Sequence, residues 1–77
     1  MATPKSVIVG EFRVTVKLDR EWDEWQVRTY FENIRLEKWT YFANDKDEAI
    51  SHQRYHVTEL KDHYQLFYGI ACDAIAR

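Results

Sequence analysis

The hydrophobic pattern of this chain changes at Asn44–Asp45, from alternation with a period of two to spacings of three and four residues. Alternation is typical of strands with one buried face, whereas spacings of three and four are typical of an amphipathic helix. The 77 residues include only two glycines and one proline, so tight turns are scarce and the elements must be few and long. The sequence therefore predicts an α+β fold, with a sheet followed by a C-terminal helix.

The strand region contains three alternating segments, which are Val7–Leu18, Trp25–Phe31 and Leu36–Asn44. Folding the chain at the two polar breaks between them pairs apolar residues on one shared face. The first hairpin would pair Leu18 with Trp25, Val16 with Val27, Val14 with Thr29 and Phe12 with Phe31; the second would pair Phe31 with Leu36, Val27 with Thr40 and Trp25 with Phe42. A slip of one residue would lose this agreement. We therefore predict a three-stranded antiparallel β-meander over Val7–Asn44, with even positions from Ile8 to Leu18 buried.

In this register the opposite face of the sheet carries aromatic and basic side chains. They are Arg13, Lys17, Arg28, Tyr30, Arg35, Trp39 and Tyr41, and Glu11, Glu32 and Glu37 would share the face. Tyr, Trp and Arg are enriched at protein-binding hot spots. Aromatic and basic residues on an antiparallel sheet also bind single-stranded nucleic acid by stacking, and they can simply cover the sheet by cross-strand packing. Because the net charge is -2, we expect protein binding through Arg28, Tyr30, Trp39 and Tyr41, with nucleic acid as the alternative.

Asp45 followed by Glu48 resembles a capping box and predicts the start of the helix. The predicted apolar face of this helix comprises Ala49, Ile50, Val57, Leu60, Tyr64, Phe67, Ala71 and Ala74. A continuous helix to Ala76 would be about 45 Å long, against roughly 30 Å for strands of eight to ten residues. We therefore expect one helix that either overhangs the sheet or breaks, at residues 61–63 or at Gly69.

The segment 64–76 is apolar around most of a helical circumference, so one small sheet face cannot cover it. The helix could fold back on itself and complete a monomeric core. Alternatively, another chain could cover it, and apolar residues repeat at intervals of seven, as in helix-on-helix seams. We favour the second reading and expect Leu66, Tyr68 and Ile70 to contact another protein, with a homodimer as the expected assembly.

Four side chains with metal-ligating or acid–base chemistry form a stripe on the predicted helix: His52, His56, Glu59 and His63. Ligands on one straight face cannot surround an ion tetrahedrally. We read the stripe as a polar border of the buried face, with a pH-sensitive interface as the alternative. Neither a metal site nor a cofactor site is predicted.

No catalytic constellation is evident in the sequence. Ser51 and His52 are adjacent and would point about 100° apart on a helix, and Cys72 lies in an apolar segment typical of an inert thiol. Catalysis is therefore not expected.

The chain should form a single domain over residues 1–77, with residues 1–5 as a flexible N-terminal arm. Its one cysteine cannot form an internal disulfide, and no apolar stretch approaches the roughly 18 residues of a membrane span. We expect a cytoplasmic, non-catalytic protein-binding module, acting as an adaptor or as a stoichiometric inhibitor of a larger protein machine. Small phage and mobile-element proteins often act in this way. The alternative is a single-stranded nucleic-acid-binding protein that uses the aromatic and basic sheet face.

Overall fold

A computed structural model describes residues 6–76 and confirms the α+β architecture. Within this range, five strands form one antiparallel sheet and are followed by two α-helices. The elements are β1 (Ser6–Val9), β2 (Phe12–Asp19), β3 (Glu24–Phe31), β4 (Ile34–Arg35), β5 (Tyr41–Ala43), α1 (Lys46–Asp62) and α2 (Tyr64–Ile75). The predicted N-terminal arm, residues 1–5, lies outside the described residues.

Strands β2 and β3 pair in the predicted register, with Val16 opposite Val27 and Phe12 opposite Phe31. All four of these side chains are buried. They lie on the face of the sheet that packs against the helices, which we call the core face. The opposite face, which no helix among the described residues covers, is called the outer face.

The prediction of one strand over Val7–Leu18 is wrong, because the chain turns back at Gly10–Glu11 and forms the β1–β2 hairpin. Gly10 has φ +56°, a left-handed conformation that glycine adopts without a Cβ penalty. The turn reverses which alternate residues of β1 face the helices. Val9 is consequently buried opposite Phe12, whereas Ile8, predicted to be buried, lies on the outer face and is 71% exposed.

The predicted third strand is also interrupted, by a 3₁₀ turn over Glu37–Trp39. Before the turn β4 pairs Ile34 with Phe31, and after it β5 pairs Tyr41 with Val27. The prediction had placed Thr40 opposite Val27, so β5 is displaced by one residue. Because successive side chains of a strand point to opposite faces, this slip exchanges the two faces of β5. The prediction treated Leu36–Asn44 as one continuous strand, so it kept a single alternation through the residues that form the 3₁₀ turn.

Helix α1 begins where the capping pattern predicts. Asp45 is the N-cap, and its Oδ1 accepts a hydrogen bond from the Glu48 N–H at 2.8 Å. The Glu48 side chain reaches back and accepts from the Asn44 N–H, also at 2.8 Å. The two side chains thus satisfy donors on both sides of the helix start, in a variant of the capping box.

The helical segment breaks at His63, inside the predicted 61–63 interval, and continues through Gly69. His63 has φ -127° and ψ 41°, which is not a helical conformation. The 17 residues of α1 rise about 25 Å, close to the length of the eight-residue strands. After the break, α2 can therefore pack back onto the sheet, and Tyr64 lies edge-on to Phe12 with ring centroids 5.7 Å apart.

The core lies between the core face and one side of each helix. Its buried apolar residues include Phe12, Val14, Val27, Phe31, Ala49, Val57, Leu60 and Ala71. One polar side chain that the helix pattern did not predict also lies there: Gln53 is buried and donates from Nε2 to the Val14 carbonyl at 2.9 Å. This hydrogen bond joins the middle of α1 to the centre of the sheet.

Candidate interaction surfaces

The outer face is organised in rows of side chains that cross neighbouring strands. The first row holds Ile8, Arg13, Tyr30 and Arg35; the second Ser6, Thr15 and Arg28; the third Lys17, Gln26 and Phe42; and the fourth Asp19 and Glu24. Both carboxylates of the strands on this face therefore lie at one end, in the fourth row. The first three rows carry its basic and aromatic groups.

Two arginines are held against the outer face by neighbouring side chains. The Arg13 guanidinium carbon lies 4.6 Å from the centre of the Tyr30 ring, and its Nη1 donates to Asn33 Oδ1 at 3.5 Å. Arg28 Nε donates to Gln26 Oε1 at 2.9 Å. The hydrogen-bond partners of both guanidinium groups are thus neutral, and neither group forms an ion pair within residues 6–76.

Of the four sheet residues predicted to bind a partner, Arg28 and Tyr30 lie on the outer face, but Trp39 and Tyr41 do not. Trp39 is the last residue of the 3₁₀ turn, and its ring stacks on Phe12 with ring centroids 6.1 Å apart. Tyr41 stacks on His52 of α1 at 3.7 Å. The predicted placement of Trp39 and Tyr41 on the outer face is wrong, because Trp39 lies in the 3₁₀ turn and the one-residue displacement of β5 turns Tyr41 toward the helices.

Phe42 takes the outer position that Tyr41 was predicted to hold. It was predicted to lie opposite Trp25 in the core, but it pairs with Gln26 on the outer face and is 58% exposed. Its residue type gave no signal of this position, because phenylalanine fits either face and only the register decides.

Tyr41 links β5 to the first turn of α1. Its hydroxyl donates to Glu48 Oε2 at 2.8 Å. Hydrogen bonds from the Asn44 N–H and the Tyr41 hydroxyl lower the pKa of the Glu48 carboxyl, while the bond to Glu48 raises the pKa of Tyr41. This arrangement stabilises the junction of sheet and helix.

The predicted histidine stripe divides into two partly buried imidazoles and one exposed imidazole. His52 lies against Tyr41, and His56 lies edge-on to Trp39 with ring centroids 6.1 Å apart, whereas His63 is exposed at the helix break. Desolvation lowers the pKa of both His52 and His56. His56 Nε2 is buried with no hydrogen-bond partner among the described residues. Two members of the stripe are therefore part of the packing rather than only its border.

Within residues 6–76, no group of three or more His, Cys, Asp or Glu side chains is arranged to hold a metal ion. Cys72 is a free, half-buried thiol, and Ser51 is exposed while its neighbour His52 stacks on Tyr41. These positions give Ser51 and His52 no shared site.

Helix α2 turns only part of its apolar circumference toward the core. Tyr68, predicted to contact a partner, packs edge-on against Phe31 with ring centroids 5.1 Å apart, so it belongs to the core side. Leu66 and Ile70 are 61% and 43% exposed. Tyr68 is thus covered by the chain's own sheet, as expected if the helix folds back to complete a monomeric core. Leu66 and Ile70 are left exposed by residues 6–76.

An open groove of about 750 Å³ lies between α2 and the segment from β4 to the 3₁₀ turn. We call it the α2 groove. Its lining combines apolar and charged residues: Ile34, Arg35, Leu36, Glu37, Lys38, Trp39, Ile70, Asp73, Ala74 and Ile75. Ile34 is 48% exposed and was not singled out in the sequence, because it lies in a segment that was read as a break between strands.

No helix among the described residues has both the length and the apolar character needed to cross a membrane. Comparison with family models, with curated proteins and with solved structures finds no match to this chain. The geometry of the surfaces is therefore the basis for assigning a function.

Proposed function

We propose that this chain is a non-catalytic protein-binding module that meets its first partner, a second copy of itself, at the α2 groove. The resulting dimer would act by occupying the surface of a larger protein, as an adaptor or a stoichiometric inhibitor. The observation that carries the proposal is the pair of half-exposed isoleucines, Ile34 and Ile70, on opposite walls of one groove.

The apolar content of the groove supports a protein occupant. Covering Ile34 and Ile70 would contribute on the order of 1–3 kcal/mol in each copy. Both copies gain this contribution in a symmetric dimer, because a two-fold interface uses the same patch twice. A chain of 77 residues also buries a limited fraction of its own surface, so additional apolar contact is of greater benefit than in a larger domain.

The charges around the groove favour a second copy as the occupant. Lys38 lies on the 3₁₀ wall and Asp73 lies on the α2 wall, and both side chains are exposed. A two-fold axis through the groove would place Lys38 of each copy near Asp73 of the other. The groove is therefore complementary to itself in charge as well as in apolar character.

Sedimentation velocity over a range of concentrations tests the assembly. The wild-type chain should sediment as a dimer, and Ile34→Glu and Ile70→Glu should sediment as monomers that keep the wild-type circular dichroism spectrum. Tyr55→Glu is the matched control, since Tyr55 is 62% exposed on α1 and does not line the groove. A wild-type monomer at all concentrations, or equal dissociation by Tyr55→Glu, would contradict the proposal.

A charge exchange tests the proposed symmetry directly. Lys38→Glu alone and Asp73→Lys alone should each weaken the dimer, because each places like charges across both contacts. An equimolar mixture of the two variants should form a heterodimer in which both contacts join opposite charges. Failure of the mixture to associate more tightly than either variant alone would exclude this arrangement.

A further inference from the structure

The outer face carries four basic side chains that its strands do not neutralise. They are Arg13, Lys17, Arg28 and Arg35, all in the first three rows. The carboxylates of Asp19 and Glu24 lie in the fourth row, at one end of the strands. The first three rows of the outer face therefore carry an excess of positive charge, although the net charge of the chain is -2.

The acidic residues that weighed against nucleic-acid binding in the sequence lie outside the strands. Glu11 is in the β1–β2 turn, Glu32 is in the turn after β3, and Glu37 begins the 3₁₀ turn. The registers observed in the sheet place none of them in the first three rows. Glu11 and Glu32 line one small pocket with Ile8 and Arg13, so their negative charge lies at the end of the first row and not among the rows.

Aromatic groups lie between these cations. Tyr30 has Arg13 as its neighbour on β2 and Arg35 as its neighbour on β4, so a cation lies on each side of the ring along the first row. Phe42, two rows away, is 58% exposed and lies in the same row as Lys17. The strands set the two aromatic residues roughly 14 Å apart, from a spacing of about 3.4 Å per residue and about 4.8 Å between strands.

We propose that the outer face binds single-stranded nucleic acid, with Lys17, Arg28 and Arg35 contacting phosphates and the exposed Phe42 ring stacking on a base. Repeated negative charge matches the spaced cations, and base faces match the aromatic rings. A duplex offers only the first of these two, because its bases are already stacked on each other. Arg35 also lines the α2 groove, whereas Lys17, Arg28 and Phe42 do not, so their contribution to binding does not depend on self-association.

Fluorescence anisotropy with a labelled 20-nucleotide single strand at low salt tests the proposal. Binding should weaken with salt with a slope near -2 in log K against log salt, because three neutralised phosphates contribute about 0.7 each. Lys17→Gln and Arg28→Gln should each weaken binding and reduce the slope by about 0.7. Phe42→Ala should weaken binding roughly 5-fold or more through lost stacking.

Matched variants on α1 separate this site from general electrostatics. Lys61→Gln, Arg54→Gln and Tyr55→Ala change exposed residues of the same kinds and should leave binding unchanged. Ile70→Gln, which adds no charge to the groove that Arg35 also lines, should bind normally whether or not the chain dimerises. Circular dichroism and melting temperature verify that the variants are folded.

Three results would overturn the inference. The first is no binding at about 100 μM protein in low salt, because non-specific dissociation constants are about 1–100 μM even at physiological salt and fall as the salt is lowered. The second is equal sensitivity to the α1 variants, which would place binding elsewhere. The third is an affinity for a duplex of the same length, or for polyglutamate, equal to that for the single strand. This result would indicate a surface that binds any polyanion through charge alone.

Discussion

The backbone of Gly10 passes so close to Tyr64 that a Cβ atom at this glycine would lie 2.8 Å from the ring carbons Cε1 and Cζ. The hydroxyl of the same tyrosine accepts a hydrogen bond from the Glu11 N–H at 3.1 Å. The β1–β2 turn and the first residue of α2 are therefore fitted to each other. This contact joins parts of the chain that are 53 residues apart in sequence.

Gly10→Ala should destabilise the fold strongly. The left-handed conformation at φ +56° costs an alanine roughly 1–2 kcal/mol, and the new methyl group would also displace the Tyr64 ring. We expect a loss of at least about 2 kcal/mol in the free energy of unfolding, measured by urea denaturation. Wild-type stability in this variant would show that the turn and α2 are not packed as described.

Gly69→Ala is the matched substitution at the other glycine and should have the opposite sign. Gly69 lies inside α2, and a Cβ there would meet nothing within 4 Å. Replacing a helical glycine by alanine in open space stabilises by about 0.5–1 kcal/mol. The same urea titration should show a higher midpoint, and a lower midpoint would contradict a continuous helix at this position.

Thr29→Val should stabilise the protein. Thr29 is fully buried in β3, and its Oγ1 has no hydrogen-bond partner among the described residues. Valine has a similar shape and is free of the desolvated hydroxyl, so we expect a gain of about 1 kcal/mol in thermal or urea unfolding. Thr15→Val is the control, because Thr15 Oγ1 shares a hydrogen bond with Ser6 Oγ at 2.9 Å and should gain nothing. A loss of stability in Thr29→Val would reveal a partner for this hydroxyl.

Acidification should destabilise the fold through His52 and His56. Burial lowers the pKa of both imidazoles; the Glu48 carboxylate partly opposes this at His52, and the nearby His52 reinforces it at His56. The unfolded chain, with histidine pKa values near 6.5, therefore binds more protons than the folded chain. The stabilisation is complete above about pH 7 and is lost as the pH falls through 6.5 toward the folded-state values.

The measurement is the free energy of unfolding of wild type and His56→Gln at pH 7.5 and pH 5. Carboxylates titrate in both proteins, so the informative quantity is the difference between them, and the wild type should lose more stability on acidification. An identical pH dependence in His56→Gln and wild type would show that His56 is not held neutral by its surroundings.

The sequence alone determined the elements whose signals are local. Strict alternation on both sides of one polar loop set the β2–β3 register, in which Val16 pairs with Val27. Asp45 and Glu48 marked the start of α1, since a helix N-terminus is satisfied by side chains within one turn. The length of the helical segment against the strands indicated an overhang or a break at residues 61–63 or at Gly69, and the structure has the break at His63.

Only the tertiary structure decided which way the edges of the sheet face. The alternation of apolar and polar residues does not reveal a reversal at Gly10 or three extra residues at Glu37–Trp39. Each of these features nevertheless exchanges the buried and exposed faces of the neighbouring strand, β1 in the first case and β5 in the second. Trp39 and Tyr41 therefore pack, partly buried, against the core, whereas Phe42 lies on the outer face, although all three are aromatic and suit either environment. The physical reason is that strand alternation specifies two faces, while packing against helices α1 and α2 specifies which of the two is buried.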